Sequence, residues 1–374
     1  MAWLWKQGRP TWLALAGLGW LGYRALQRWR QEDIRGQVVL ITGSSRGLGL
    51  ALAREFARAG CRLVLCARDA DELERARHDL AQRGAEVLSV PCDVSDREQV
   101  RRLVGQATER FGRIDVLVNN AGIIQVGPMQ TATEDFAAAL DVMFWGVLYP
   151  TLSVLPQMRA RHHGRIVNIT SIGGMVSVPH LLPYSCAKFA AVGLSEGLRA
   201  ELGREGIHVT TIVPGLMRTG SHLRAAFEGQ QEREFTWFAL GATLPLVSIG
   251  AERAARQIVR ATQRGEAERI LSLPANLLGR LHGVCPGTTA NLLSAVNRVL
   301  PGSEPASASR ALGLEVQRRM RSRLLDVLTG LGRAAAHRLY QDAPAAAEAG
   351  VRAGSTPACT PERQLASPVE RDRA

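Results

Sequence analysis

The sequence predicts an α/β fold built on a doubly wound parallel sheet, and three observations carry that prediction. Short apolar runs alternate with amphipathic stretches of helix length from residue 38 to residue 273. A glycine-rich turn closes the first apolar run and opens the first helical one. At 374 residues and 46% hydrophobic, the chain is large enough to cover a sheet on both faces. Strands separated by helices of this length imply right-handed βαβ units, whose crossovers lie over the sheet.

The elements follow in order. Residues 12–26 (WLALAGLGWLGYRAL) are apolar apart from Arg24, with Lys6 and Arg9 before them and Arg28 and Arg30 after. As a helix this stretch spans about 22 Å at ~1.5 Å per residue, short of a hydrocarbon core of roughly 30 Å. Trp3, Trp5, Trp12, Trp20 and Trp29 suit the interfacial zone, where an indole keeps its N–H wet and its ring apolar. No small-x-small cleavage site follows this stretch before the first strand, which argues against a removed leader. Residues 1–33 therefore read as a membrane anchor or interfacial segment, with a helix packed on the domain or on a partner as the alternative. The expected location is membrane-associated, with the following domain on the cytoplasmic side.

Residues 38–41 (VVLI) read as a buried strand, and 47–59 as a helix with Leu48, Leu52 and Phe56 on one face. Strands are expected at 62–66, 87–90, 114–118, 165–170, 207–213 and 269–273, with helices at 71–82, 97–111 and 251–262. Four segments result: the hydrophobic segment 1–33, a nucleotide-binding domain 36–275, a helical extension 276–342, and an Ala/Pro/Ser-rich tail 343–374 expected to be disordered. Within the extension, 314–339 reads as one basic helix with Val316, Met320, Leu324, Val327 and Leu331 on a stripe. It would rest on a membrane or pack back on the domain.

Composition narrows the partners. The net charge is +12 and comes from arginine, since Lys6 and Lys188 are the only lysines. The arginines are scattered through helical segments without a nucleic-acid motif, so no nucleic-acid partner is expected. An anionic membrane surface is the better match. Cys61, Cys66, Cys92, Cys186, Cys285 and Cys359 show no CxxC and no zinc spacing, and read as thiols in a reducing compartment with no metal site.

The turn after the first strand is Thr42-Gly43-Ser44-Ser45-Arg46-Gly47-Leu48-Gly49. Gly43 permits a tight exit, Gly47 lets the backbone approach a pyrophosphate, and Gly49 lets helix and strand pack closely. The phosphates would lie over the first amides of the helix. The second strand ends Leu65-Cys66-Ala67-Arg68, with no carboxylate at its tip for a ribose 2′-hydroxyl. Asp69 is expected to point away, while Arg46 and Arg68 can grip a 2′-phosphate, which makes NADP(H) the expected cofactor.

Ser171 follows the fifth strand, and thirteen residues on comes Tyr184-Ser185-Cys186-Ala187-Lys188. Tyrosine and lysine at i and i+4 share one helix face. A nearby ammonium favours phenolate, drawing the phenol from its usual value near 10 toward working pH. Tyr184 can then give a proton to a carbonyl oxygen, or take it back in the reverse direction.

The TGxxxGxG turn, Asn119-Asn120-Ala121-Gly122, Ser171 with Tyr184-x-x-x-Lys188, and Pro214-Gly215-Leu216-Met217-Arg218-Thr219 together resemble the short-chain dehydrogenase/reductase family over roughly residues 36–275. The resemblance implies a Rossmann-type sheet and an oxidoreductase. It implies cofactor contacts at Gly43, Ser45, Arg46, Gly47, Leu48, Gly49, Arg68, Asp93, Val94, Asn120, Ala121, Gly122, Tyr184, Lys188, Pro214, Gly215, Met217 and Thr219. Asp93 would cap the adenine amino group, Lys188 would hold the nicotinamide ribose, and Ser171 would hold the substrate oxygen. It also implies a homodimer paired through the helices that carry the catalytic residues. The stretch 221–245, with Leu223, Phe227, Phe235, Trp237, Phe238 and Leu240, falls where the family has its substrate loop. Its aromatic content suggests a small apolar alcohol or ketone of steroid, retinoid or lipid type, unless these side chains simply pack together.

One position departs from the family. Met143 stands where many members carry an asparagine that ties the lysine to solvent through water, and a thioether cannot replace an amide's hydrogen bonds. With Ser171, Tyr184 and Lys188 intact, a working enzyme is expected. The second reading is a weakly active or inactive member serving as a nucleotide-dependent binding or scaffold protein at a membrane. A sugar-nucleotide epimerase is disfavoured, because those relatives carry TGxxGxxG.

Overall fold

A computed structural model of the chain describes residues 31–129, 133–302, 310–320 and 328–342, together with Gly17 and Gly22. The chain divides into two units, Met1–Ala343 and Pro344–Ala374, and every described residue falls in the first. The expected tail, and all of the hydrophobic segment 12–26 except Gly17 and Gly22, lie outside the described residues.

Seven strands form one sheet: β1 (Val38–Thr42), β2 (Arg62–Ala67), β3 (Val87–Pro91), β4 (Val116–Asn119), β5 (Gly164–Ile169), β6 (Ile207–Val213) and β7 (Glu268–Ile270). All neighbours are parallel, in the order β7-β6-β5-β4-β1-β2-β3. Apolar side chains fill both faces, as helical crossovers require. Val39, Ile41, Leu63, Leu65, Val116, Val118 and Ile212 join a core under α1 (Gly47–Arg58), α2 (Ala70–Gln82) and α8 (Ala251–Arg264). The alternate residues Val38, Leu40, Val64, Cys66, Leu117, Ile166 and Val209 join a second core, under α3 (Arg97–Phe111) and α5 (Gly146–Ala160). Each fully buried aliphatic side chain contributes roughly 1.5–3 kcal/mol relative to exposure.

The strand order reverses between β1 and β4, so their carboxyl ends open the crevice where such sheets bind ligands. Helix α4 (Thr133–Leu140) runs into α5 through a π-helical turn at Asp141–Trp145. Thr133–Ala160 is apolar enough to cross a bilayer by composition, with a mean hydropathy of 1.5 in its best window. Here it is a core helix, with Val147, Val154, Leu155 and Met158 buried on the sheet. Helix α6 (Leu182–Leu202) packs beside it and carries the Tyr-x-x-x-Lys face.

Two expected elements change. The closing strand stops at Ile270, because Ser272 caps a new helix by accepting the Ala275 N–H, and Pro274 suits its first turn. That helix, α9 (Leu273–Val284), turns back as α10 (Pro286–Asn297). The helix expected over 314–339 is not continuous: its described parts are α11 (Gly313–Met320) and α12 (Gly330–Arg338), with a turn at Thr329. The stripe is broken as well, since Val316 is buried while Leu331 is 56% exposed. Small residues do the packing. A Cβ on Gly332 would overlap Thr243 at the end of α7 (Gln231–Thr243), and Ala335 and Ala336 are buried beside it. α12 thus packs back on the domain.

Candidate active site

The turn after β1 is closed by its own sequence. Gly43 and Gly47 have φ of 62° and 59°, which suit glycine. A Cβ on Gly43 would stand 2.8 Å from Ala121 Cα, and one on Gly49 would overlap the Gly43 carbonyl oxygen. Asn120 Nδ2 donates to the carbonyls of Thr42 (2.9 Å) and Gly43 (3.0 Å), and Thr42 Oγ1 accepts from the amides of Asn120 and Ala121. The Asn119–Gly122 turn after β4 is therefore latched onto the glycine turn. Behind it, Asn119 Nδ2 donates to Asn168 Oδ1 and Thr151, Asn168 donates to Ser195, and Ser195 meets Thr211 at 2.7 Å. This buried polar ladder ties β4, β5 and β6 to the helices behind them, and no sequence motif announced it.

Tyr184 and Lys188 lie on one turn of α6, with Lys188 Nζ 5.8 Å from the Tyr184 ring centre. Ser171 lies beside the phenol ring, since a Cβ on Gly173 would meet both Tyr184 Cε1 (3.2 Å) and Ser171 Oγ (3.5 Å). Ser171 Oγ is aimed by the Gly173 N–H, which donates to it at 3.0 Å. Lys188 is buried and donates to the Ile169 carbonyl oxygen at 2.8 Å. Burial pushes the lysine down to about 8. Burial also raises the Tyr184 phenol, and Ser171 beside it opposes this only in part. Burial thus dominates at the phenol, while the Lys188 ammonium, with one N–H on the Ile169 carbonyl, stands 5.8 Å from its ring centre.

Tyr184 stands between two apolar clusters. One contains Val126, Leu181, Phe227, Phe235 and Phe238; the other contains Ala139, Met143 and Ala187. Phe227 meets Phe235 and Phe238 edge to face at 5.4 and 6.0 Å, so these aromatics form a core of their own. Met143 is fully buried in the π-helical turn, and Gly122 faces both its Sδ and Lys188 Nζ.

The remaining expected residues fall around this crevice. Asp93 and Val94 follow β3, with Asp93 Oδ1 accepting from Ser95 N and Oγ. Pro214 accepts the Ile172 N–H at 2.7 Å, and Gly215 leaves room for Ser272. Met217 pairs with Ile249, and Thr219 is buried with its Oγ1 accepting from Ser221. Asp69 caps α2 by accepting the Glu72 N–H, and Arg68 before it at the strand tip is exposed. Arg46 behaves otherwise than expected. Its guanidinium pairs with the buried Glu72 at 2.7 Å, and Glu72 also accepts from Ser45 and Arg224. Nothing in the local sequence marked Glu72, since its partners lie 26 and 152 positions away. Among the described residues no cluster of His, Cys, Asp and Glu could hold a metal ion.

A doubly wound parallel sheet, a glycine turn at its switch point and a Ser–Tyr–Lys group at one crevice define the class: an α/β oxidoreductase domain. The family profile for short chain dehydrogenases matches residues 37–228, and the chain belongs to the short-chain dehydrogenase/reductase family. The chain is 42% identical over 200 residues to a dehydrogenase/reductase SDR family protein 7-like of Anopheles gambiae, covering 52% of this chain and 63% of that one. It is 35% identical over 251 residues to a granaticin polyketide synthase putative ketoacyl reductase of Streptomyces violaceoruber, covering 65% and 92%. An 11-beta-hydroxysteroid dehydrogenase of Sesamum indicum is 36% identical over 254 residues, covering 65% and 70%. Among solved structures, a short chain dehydrogenase/reductase of Burkholderia phymatum in complex with NAD superposes with a TM-score of 0.63 at 26% identity, covering 74% of this chain and 99% of that one.

Proposed function

We propose that this enzyme interconverts an apolar secondary alcohol and its ketone with NADP(H), at a membrane surface. The observation that carries the proposal is Tyr184, beside Ser171, backed by Lys188 and walled by two apolar clusters. The glycine turn fits a dinucleotide, since its backbone leaves no room for side chains. When bound, the nicotinamide supplies or accepts the hydride. The chain's own residues do the rest. Ser171 Oγ and Tyr184 Oη hold the substrate oxygen, and Tyr184 passes a proton to it or takes one back. Lys188 would hold the nicotinamide ribose and place positive charge behind the phenol. Burial raises the phenol, so Tyr184 rests with its proton in place.

The preference for NADP(H) is supported by Arg68, exposed at a strand tip that lacks a carboxylate. Arg46 is shared with Glu72, so Arg68 is the leading 2′-phosphate contact. Membrane association is supported by the α9–α10 hairpin, which exposes Leu273, Leu277, Val284, Leu292 and Val299 and has no acidic residue between Arg269 and Gly302. With residues 1–33, it would hold the enzyme on a cytoplasmic leaflet. Trp145, Leu152 and Phe189, exposed on the helices beside the site, support pairing with a second copy.

The test is loss of NADPH absorbance with a panel of hydrophobic ketones. Tyr184→Phe should lower turnover by about 10²–10⁴ while NADPH still binds. Unchanged turnover in that variant would sink the assignment. Met143, fully buried and facing Gly122 with Lys188, favours the second reading, a nucleotide-dependent scaffold. Tight NADPH binding without turnover across the panel would support it.

A further inference from the structure

The carboxyl-terminal segment lies on the turn assigned above to the cofactor phosphates. The Gly47 N–H, at the start of α1, donates to the Leu339 carbonyl oxygen at 2.9 Å. A Cβ on Gly47 would overlap Gln341 Nε2, so that side chain fills the space which a glycine there keeps open. The Gln341 carbonyl accepts from Arg224 Nε at 2.9 Å, and Arg224 also reaches the Glu72 carboxylate that holds Ser45 and Arg46. Ala336 and Gln341 press on Gly220, next to the buried Thr219. Ser44, Ser45 and Gly47 are buried, although the turn they form has the build of an open anion cradle.

We propose that residues 339–341 are a strap that occupies the pyrophosphate place and must leave before a dinucleotide can bind. This inference rests on the cofactor reading above. The Leu339 carbonyl oxygen stands in for a phosphate oxygen on the same amide. A neutral carbonyl is the weaker occupant of a helix N-terminus, where the aligned peptide dipoles favour an anion, so a pyrophosphate can displace it. The segment also carries marks of being held at a cost. Tyr340 adopts φ 57°, which disfavours a side-chain-bearing residue, and Gln341 Oε1 is buried without a hydrogen-bond partner among the described residues. What retains it is the buried Leu339 side chain, the Arg54 bond to the Arg338 carbonyl at 2.8 Å, and the Arg338–Glu252 pair. Because only the open fraction binds, the strap lowers the apparent affinity by that fraction.

Two measurements test this on binding, apart from turnover. NADPH and NADH are titrated by fluorescence into the full chain and into a variant ending at Arg338, with Gln341→Ala as the milder change. The truncation should bind NADPH about tenfold or more tightly than the full chain, and Gln341→Ala should move the same way by less. Equal or weaker binding by both variants overturns the strap and leaves the cofactor reading standing. A folded truncation that binds neither nucleotide overturns both. Should the truncation fail to fold, hydrogen exchange of the full chain decides. Faster exchange of the 335–341 amides on adding NADPH supports displacement. Unchanged or slower exchange there means the segment stays as part of the bound site, and overturns it.

Discussion

Replacing Lys188 by methionine separates what this residue does for the reaction from what it costs the fold. The lysine is 4% exposed, and burial pushes it from 10.5 down to about 8. At pH 7 it is still charged, so the folded state bears about 3 kcal/mol that an exposed lysine would not. Methionine has a similar length and no charge, and removes that cost. It also leaves the Ile169 carbonyl, now bonded at 2.8 Å, without its donor, at a cost of about 1–2 kcal/mol. Lys188→Met should therefore be more stable at pH 7 by about 1–2 kcal/mol, although inactive. The pH dependence follows from the direction of the shift. Between about 8 and 10.5 the unfolded chain holds a proton that the folded chain has released, so native stability rises with pH through that window. The variant's advantage should shrink and then reverse across the same window. Urea unfolding of both proteins at pH 7 and near the top of the window measures it. A variant less stable at pH 7, or a difference that does not change with pH, would refute the reasoning.

Other perturbations are simpler. Gly49→Ala brings a Cβ into the Gly43 carbonyl and within 2.7 Å of Asn120 Nδ2, and should destabilise the fold by about 1–3 kcal/mol and abolish dinucleotide binding, read by melting and titration. Arg68→Ala should weaken NADPH about tenfold and leave NADH unchanged; equal losses would remove Arg68 from the 2′-phosphate. Met143→Asn places an amide among Ala139 and Ala187 and should lower stability by about 1–3 kcal/mol in urea. No loss would show that water follows the amide in.

The sheet was legible because its side chains repeat a local rule. Val38 to Ile41 is apolar at every position, which only a strand covered on both faces tolerates, and the same holds for the run at 63–67. The glycine turn and the Tyr184–Lys188 pair were legible for a related reason: their chemistry sits within one turn of backbone. Boundaries moved where a cap intervened, as at Ser272. The helix over 314–339 failed because periodicity counts faces and does not see which face meets the domain. Gly332, Ala335 and Ala336 carry little hydrophobic signal, yet they allow the close approach that decides the packing. The aromatic stretch 221–245 read equally as substrate wall or core, and the ring contacts favour core for Phe227, Phe235 and Phe238.

By itself, then, the sequence determined the α/β class, the phosphate turn, and the residue types available to move a proton. Each of these is written in contacts between residues close along the chain. Tertiary structure alone decided where the charges are spent. It sends Arg46 to Glu72, Lys188 to the Ile169 carbonyl and the Gly47 amide to Leu339. Those partners come from separate elements, up to 292 positions apart for Gly47 and Leu339. Burial then sets the protonation of Tyr184 and Lys188, and desolvation is a property of everything packed around a group, which no local pattern records.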